Sequence, residues 1–307
     1  MSKTSPSAFD RGVRERAPRT VPPQLLELAA RLVPSIPAPI GYPLCTLIGA
    51  IVGPFTPAWP HILANLAVLM PRSDPRARIA AARRVLIGIF KNYFDLLRFP
   101  TLPPDHLDQT VELIGVQHVI AARASGRGMI IVAPHCGNYT TVFTAAVRRF
   151  DVRVLVVVEQ IDDPQAHDLM NRARQMPGID IVPLDRSVGR HILATLRRND
   201  IVLLASDRAI AENTLAVDFF SRSTPMPSGP ATLAIRTGTP LMPAVCYRLP
   251  DNRSIVHFDP PLLTDRSDDV QRDVRDVTQK IAYHMQTYIA RDPSQWLVAE
   301  RVWEDGD

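Results

Sequence analysis

Met129-Ile130-Ile131-Val132-Ala133-Pro134-His135-Cys136-Gly137-Asn138-Tyr139-Thr140 is the stretch on which the fold turns. Met129 to Val132 is a short apolar run of buried-strand character, and Thr141 to Phe150 reads as a helix, so the residues between them form a strand-to-helix turn. In an open parallel sheet such turns lie beyond the carboxyl ends of the strands, where ligands bind. A histidine there, His135, is well placed for a general base. Gly137 permits close approach of a ligand to the backbone, and Asn138 can begin the next helix as its N-cap. The start of that helix offers free N–H groups to a developing oxyanion.

The same alternation extends on both sides. Strands are expected at Val111 to Ile114, Arg153 to Val158, Ile179 to Pro183 and Ile201 to Ala205, with helices beginning at Gly115, Thr141, Pro164 and Val188. Later strands, Leu215 to Phe219, Leu241 to Tyr247 and Ser254 to Phe258, flank a helix from near Gly229, and a long helix covers Asp268 to Ala290. Strands alternating with helices predict an α/β fold with a largely parallel central sheet flanked by helices.

The N-terminal part is of another kind. Residues 1–20 mix Ser, Pro, Arg and acidic residues and read as a disordered tail. Residues 32–71 contain no Asp, Glu, Lys or Arg, a membrane-like composition, yet prolines interrupt the run before any piece reaches the roughly 20 apolar residues of a spanning helix. It reads as an interfacial or re-entrant hairpin of short helices, with Tyr42 and Trp59 where interfacial aromatics sit, or else as a buried helical pair. An amphipathic helix follows from Asp74 to Phe99, with Ile79, Val85, Leu86, Ile89, Phe90, Phe94 and Leu97 at helical spacing. The Leu102-Pro103-Pro104 linker then separates a helical, membrane-associating region, 21–100, from an α/β domain, 101–307.

A chain of 307 residues with 46 % hydrophobic content can build a substantial core. Its three cysteines, Cys45, Cys136 and Cys246, have no metal-ligand spacing and suit a reducing compartment. The formal charge is +4 and nearly all of the 35 cationic residues are arginines, which suits anionic lipid surfaces or phosphate-bearing substrates. No basic stripe interleaved with aromatics, helix-turn-helix pattern or zinc spacing points to nucleic acid. The sequence has no G-x-S-x-G elbow, G-x-G-x-x-G or G-x-x-x-x-G-K-[ST], so a covalent hydrolase and the usual nucleotide fingerprints are disfavoured.

Two further residues lie just past predicted strand ends, Glu159 after Arg153 to Val158 and Asp207 after Ile201 to Ala205, and both should face the same sheet edge as His135. They are the candidates to orient His135, one directly and the other through water or a cationic partner. Asp207 could instead pair with the neighbouring Arg208 or cap a helix.

The His135 segment resembles the signature of the bacterial lipid A and phosphatidylinositol mannoside acyltransferases, in which His is followed by four residues and then Asp or Glu. Ser206-Asp207-Arg208, Val217-Asp218-Phe219-Phe220-Ser221-Arg222, Met226-Pro227-Ser228-Gly229-Pro230-Ala231-Thr232-Leu233-Ala234 and Pro293-Ser294-Gln295-Trp296 with Trp303 are similar to the same family. The resemblance runs from about residue 25 to 303. It implies that the imidazole takes the proton from an acceptor hydroxyl attacking a thioester, with a carboxylate fixing the ring tautomer. Here the acid position of the signature holds Thr140.

By the same resemblance Arg222 looks like a phosphate ligand, and the Ser228-Gly229-Pro230 turn looks like an anion-accepting helix start. Asn138 and Arg208 join them as substrate-binding candidates, and His135, Asp207, Glu159 and Thr140 form the catalytic set. The activity implied is transfer of a long-chain acyl group from acyl-CoA or acyl carrier protein to a hydroxyl of a membrane (glyco)lipid, without a cofactor, at the cytoplasmic face of the plasma (inner) membrane as a peripheral or monotopic protein. The alternative is a non-catalytic relative that kept the lipid or acyl-thioester pocket and lost turnover with the acid at Thr140.

Overall fold

Strand β2 (Met129–Ala133) is buried along its whole length, and its side chains alternate between two cores: Ile130 and Val132 enter one, Met129 and Ile131 the other. The period-2 pleat sends neighbours to opposite faces, and an all-apolar strand therefore needs cover on both. Strand β5 (Ile201–Ala205) divides the same way, Val202 to the first core and Ile201 and Leu203 to the second.

The structure is a computed structural model that describes residues 23–103, 105–159, 172, 176–209, 213–264 and 266–303. The tail over 1–20 and the helix expected from Pro164 lie outside the described residues. Among the described residues seven strands form the central sheet. With β1 (Val111–Ile114), β3 (Val154–Val158), β4 (Ile179–Pro183), β8 (Leu241–Arg248) and β9 (Ser254–Phe258), the order is β1-β9-β8-β2-β5-β3-β4. All pairs are parallel except β8 with β9. The expected mostly parallel sheet is present, and helices α6 (Val116–Arg123), α7 (Tyr139–Phe150), α8 (Val188–Arg197), α9 (Gly229–Thr237) and α10 (Val270–Arg291) flank it.

Beside the sheet stands an antiparallel ribbon, β6 (Thr214–Phe219) with β7 (Arg222–Pro227). β7 is absent from the sequence expectations. Pro225 and Pro227 argue against a strand, but a two-stranded ribbon leaves a free edge on which proline removes no ladder bond. The turn also lacks the usual Asn-Gly signal: Phe220 and Ser221 both take positive φ, 55° and 59°. Gln286 accepts the Phe220 N–H at 2.6 Å and Asp218 accepts the Ser221 N–H at 3.0 Å, which holds that turn.

Among the described residues, helices α1 (Pro23–Leu32), α2 (Ala38–Ile51), α3 (Ala58–Leu69), α4 (Pro75–Arg98) and the short α5 (His106–Thr110) precede β1. Helix α2 continues through Pro43, one of the prolines that interrupt the uncharged run. Its buried stripe is Gly41, Cys45 and Gly49, continued by Gly53, and it lies on α4. A Cβ at Gly41 would fall 2.0 Å from the Phe94 ring and one at Gly49 2.8 Å from Ile87, so small residues at a spacing of four set the helix separation. The opposite face is apolar and exposed: Ile40, Leu44, Leu47 and Ile51, then Phe55 at 85 % exposure. The uncharged segment is thus half core and half surface.

Tyr42 does not sit on that outer face. Its hydroxyl turns inward to Asp95, 2.8 Å away, and its ring packs edge-on against Phe94. Trp59 packs against the α3–α4 core. No helix among the described residues is long and apolar enough to cross a membrane.

Candidate active site

The register of two parallel strands builds the centre of the site. β2 pairs with β5 so that Met129 faces Ile201 and Ala133 faces Ala205. Carried two residues further, that register sets His135 opposite Asp207. His135 Nδ1 lies 2.8 Å from Asp207 Oδ1, and the His135 backbone N–H donates to Oδ2 at 2.8 Å. The indole N–H of Trp296 donates to the same Oδ2 at 2.7 Å. Asp207 is wholly buried, whereas the His135 side chain keeps 22 % exposure.

Burial by itself would raise the Asp207 carboxyl, but the facing imidazole and the three donated hydrogen bonds outweigh it and hold the group at about 2. Asp207 is therefore a carboxylate that only accepts, and Nδ1 carries the proton it accepts. That leaves the lone pair on Nε2, the nitrogen turned away from the acid. The ring is steadied further by Tyr139, edge-on with centroids 5.2 Å apart.

Glu159 takes another position. The sheet order puts β5 between β2 and β3, so Glu159 issues two strands from His135, a distance of about 10 Å at ordinary strand spacing. It binds Arg208 instead, at 2.9 Å, and Glu300 holds the same guanidinium at 2.6 Å. Asp207 does not take the pairing with Arg208 that chain adjacency offered. Thr140 lies in the first turn of α7.

The turn after His135 is fixed in ways unlike those expected. Gly137 has φ +55°, and a Cβ there would meet the Cys246 carbonyl oxygen at 2.6 Å and the Arg248 nitrogen at 2.8 Å. The close approach that demands glycine is to the backbone of β8, not to a ligand. Asn138 makes no side-chain cap; its amide donates to Asp95 Oδ2 at 3.0 Å. Residues 135–137 also pair with 295–297: Leu297 N–H donates to the His135 carbonyl, Gly137 N–H to the Gln295 carbonyl, with an antiparallel bridge between Cys136 and Trp296.

Behind the turn is a buried polar cluster that the sequence reading missed. Arg248, at the end of β8, pairs with Asp95 at 2.7 Å and donates to Asn92 Oδ1 at 2.8 Å. Asn92 donates in turn to the Gly137 carbonyl at 2.8 Å. Helix α4 is thereby bolted to the residues that follow His135. The signal was present in the sequence, since Asn92 comes seven residues after Val85 and so falls on the apolar stripe of α4.

The remaining candidates are dispersed. Arg222 opens β7 and lines a cavity of about 490 Å³ with Asp218, Ser223, Arg275 and Gln279, to which neither His135 nor Asp207 contributes. Ser228 stands at the N-cap of α9 without capping through its side chain, and its hydroxyl donates to the Asn213 carbonyl at 3.2 Å. Gly229 is the first residue of that helix and meets no neighbour that would exclude a Cβ. The Phe-Phe pair has a structural use: Phe219 stacks on Trp303 at 5.7 Å, and Trp303 lies 5.9 Å from Trp296, the donor to Asp207.

A family model described as bacterial lipid A biosynthesis acyltransferase matches residues 14–305. The chain belongs to that family. It is 26 % identical over 242 residues to a phosphatidylinositol mannoside acyltransferase of Mycolicibacterium smegmatis, covering 78 % of this chain and 77 % of that protein. It is 28 % identical over 246 residues to a phosphatidylinositol mannoside acyltransferase of Mycobacterium tuberculosis, covering 78 % of this chain and 75 % of the relative. These matches make it an acyltransferase of lipid biosynthesis, of the lipid A and phosphatidylinositol mannoside type. Thr140 stands on α7 where the resembled signature has its acid, and the carboxylate bonded to His135 is that of Asp207, just past the end of β5.

Proposed function

We propose that the protein is a membrane-surface O-acyltransferase that moves a long-chain acyl group from acyl-CoA or acyl carrier protein to a hydroxyl of a (glyco)lipid, with His135 as general base and Asp207 as the residue that orients it. The observation that carries this is the 2.8 Å contact between His135 Nδ1 and the buried Asp207 carboxyl. The acceptor hydroxyl oxygen attacks the thioester carbonyl carbon while Nε2 takes its proton. Asp207 stabilises the imidazolium as it forms. The tetrahedral intermediate then collapses, the C–S bond breaks, and the thiolate leaves with the proton returned from Nε2. Atoms and charge balance without a cofactor.

Asp207 supplies the carboxylate that Thr140 lacks, which favours turnover over a binding protein that has lost it. Glycolipids of the phosphatidylinositol mannoside type are the acceptors to try first, because the relatives carry that name. The exposed apolar face of α2, with Phe55 just beyond its end and no Asp, Glu, Lys or Arg from residue 32 to 71, supports seating on a bilayer as a peripheral or monotopic protein, and the side we propose is the cytoplasmic face of the inner membrane.

The test is mass spectrometry of lipids formed from labelled acyl thioesters by the purified protein and by His135→Ala. Acylated glycolipid from the wild type, with the rate at least about 10²-fold lower in the variant, is expected. Equal product from both proteins removes His135 from the mechanism.

A further inference from the structure

A cavity of about 540 Å³ lies between α4, the end of β8 and residues 291–297, with Gly137 in its wall. Four cations line it: Arg84, Lys91, Arg248 and Arg291. Its single acid, Asp292, is taken up by the Ser294 hydroxyl and N–H and by Gln295. Among the described residues no carboxylate pairs with Arg84, Lys91 or Arg291. Lys91 donates to the neutral Asn252 amide oxygen, at 2.7 Å, and lies over the Tyr42 ring. Arg248 does have an acid, Asp95, but its Nη1 is buried with no partner.

Such an arrangement is costly as it stands. Like charges repel, and burial together with Arg248 pushes the Lys91 ammonium below its ordinary value. A bound anion removes that cost. The rest of the wall is apolar, including Ile87, Leu249, Ile255 and Leu297. Ile87 also packs against Gly49 of α2, so the cavity adjoins the helix whose outer face is apolar and exposed.

We infer that this cavity is a second binding site, for a phosphate-bearing amphiphile whose phosphate sits among Arg84, Lys91, Arg248 and Arg291 and whose apolar part lies on the Ile87–Leu297 wall. Guanidinium and phosphate match in bidentate geometry, and three separate arms suit a group with several acceptor oxygens. The site is distinct from the reacting atoms, since neither His135 nor Asp207 lines it. It is nevertheless coupled to them through the wall: Gly137 belongs to it, and the 295–297 segment that borders it hydrogen-bonds to His135 and carries Trp296. The phosphate can come from a membrane phospholipid or from the carrier of the acyl thioester; the inference rests on the acyltransferase reading for those sources alone.

Binding is measured on the full chain, without turnover, by calorimetry. The probes are dihexanoyl phosphatidic acid, dihexanoylglycerol, inorganic phosphate and coenzyme A, and the proteins are wild type, Arg84→Gln/Arg291→Gln and His135→Ala. Arg84 and Arg291 are both exposed, so the double variant keeps its fold, checked by its melting temperature. At least about 10-fold weaker binding of the phosphatidic acid in the double variant is expected, from the loss of two charge-assisted contacts. Wild-type binding of dihexanoylglycerol and of inorganic phosphate is expected to be weaker than that of phosphatidic acid. The same loss seen with coenzyme A instead supports the site and names the carrier as the phosphate source. Unchanged binding of both phosphate amphiphiles in the double variant overturns the inference, as does inorganic phosphate binding as tightly as either. Loss of binding in His135→Ala overturns it too, by placing the ligand at the catalytic histidine. A protein that binds but transfers no acyl group counts against the proposed reaction and leaves this site standing.

Discussion

Trp296 and His135 share one acceptor: the indole N–H and the histidine's backbone N–H both donate to Oδ2 of Asp207, at 2.7 and 2.8 Å. Among the described residues Oδ1 is left for the ring nitrogen. Trp296→Phe keeps most of the buried ring and deletes one donor to a buried charge. A stability loss of about 2 kcal/mol is expected, the range for hydrogen bonds to charged groups, with a fall in acyl-transfer rate. Urea unfolding and initial rates on the same preparation check both; an unchanged rate would detach Trp296 from the site.

Asp207→Asn turns an acceptor-only group into one that also donates. An amide nitrogen facing Nδ1 favours the tautomer with the proton on Nε2, which cannot act as a base. The rate should fall by about 10²-fold or more, and adding His135→Ala should lower it little further, because residues acting as a unit are not additive. Multiplicative losses in the double variant would show that the two work separately.

The same residue carries a pH signature. Its carboxyl is held at about 2 against an ordinary 3.8, so its contribution to stability is fully present above about pH 4 and is lost as the pH falls towards 2. Wild type should lose stability across that window relative to Asp207→Asn. Denaturant midpoints of both proteins at pH 2, 3, 4 and 6 measure it, and a difference that stays constant across the series counts against the ionised acid.

Thr140→Asp restores the family's acid at a site where another acid already serves His135. Asp207 already accepts from the imidazole, so an added acid supplies no missing partner, and the rate is expected to stay level or fall. Stability should hold or rise slightly, since an acid in the first turn of α7 suits the helix dipole. A clear rate increase would mean that the existing acid is insufficient.

Asp95→Ala breaks a buried pair and strands Arg248. Loss of about 3–5 kcal/mol is expected, together with weaker activity, because the Asn138–Asp95 hydrogen bond goes and the Asn92–Arg248 anchor of Gly137 loosens. Chemical unfolding gives the first number and initial rates the second.

Leu47 lies on the exposed apolar face of α2, and Phe55 is exposed in the short 3-10 turn that follows it. Leu47→Asn with Phe55→Ser should leave the melting temperature within a degree or two and reduce partition to anionic vesicles. Vesicle sedimentation reads this directly, and unaltered partition would move the membrane contact elsewhere.

The sequence by itself determined the strand and helix alternation, because burial on both faces writes apolar runs and helical burial writes a 3.6-residue period, both local signals. It also placed His135, Glu159 and Asp207 past strand ends, on one edge of the sheet. The β7 strand was illegible because its turn is made by Phe220 and Ser221 in positive φ, held by Gln286 and Asp218 rather than by glycine or asparagine. Pro43 is accommodated within α2, so the prolines of the uncharged run do not mark every helix end.

Which acid meets His135 was decided only by tertiary structure. β5 inserts beside β2 and ahead of β3, so Asp207 lands in register with His135 while Glu159 falls one strand too far. Strand neighbours are chosen by burial between segments distant in sequence, and no local pattern records that choice. Trp296 reaches Asp207, and Asn92 reaches Gly137, for the same reason: their partners lie 89 and 45 residues away, brought close only when the sheet edge and α4 pack together.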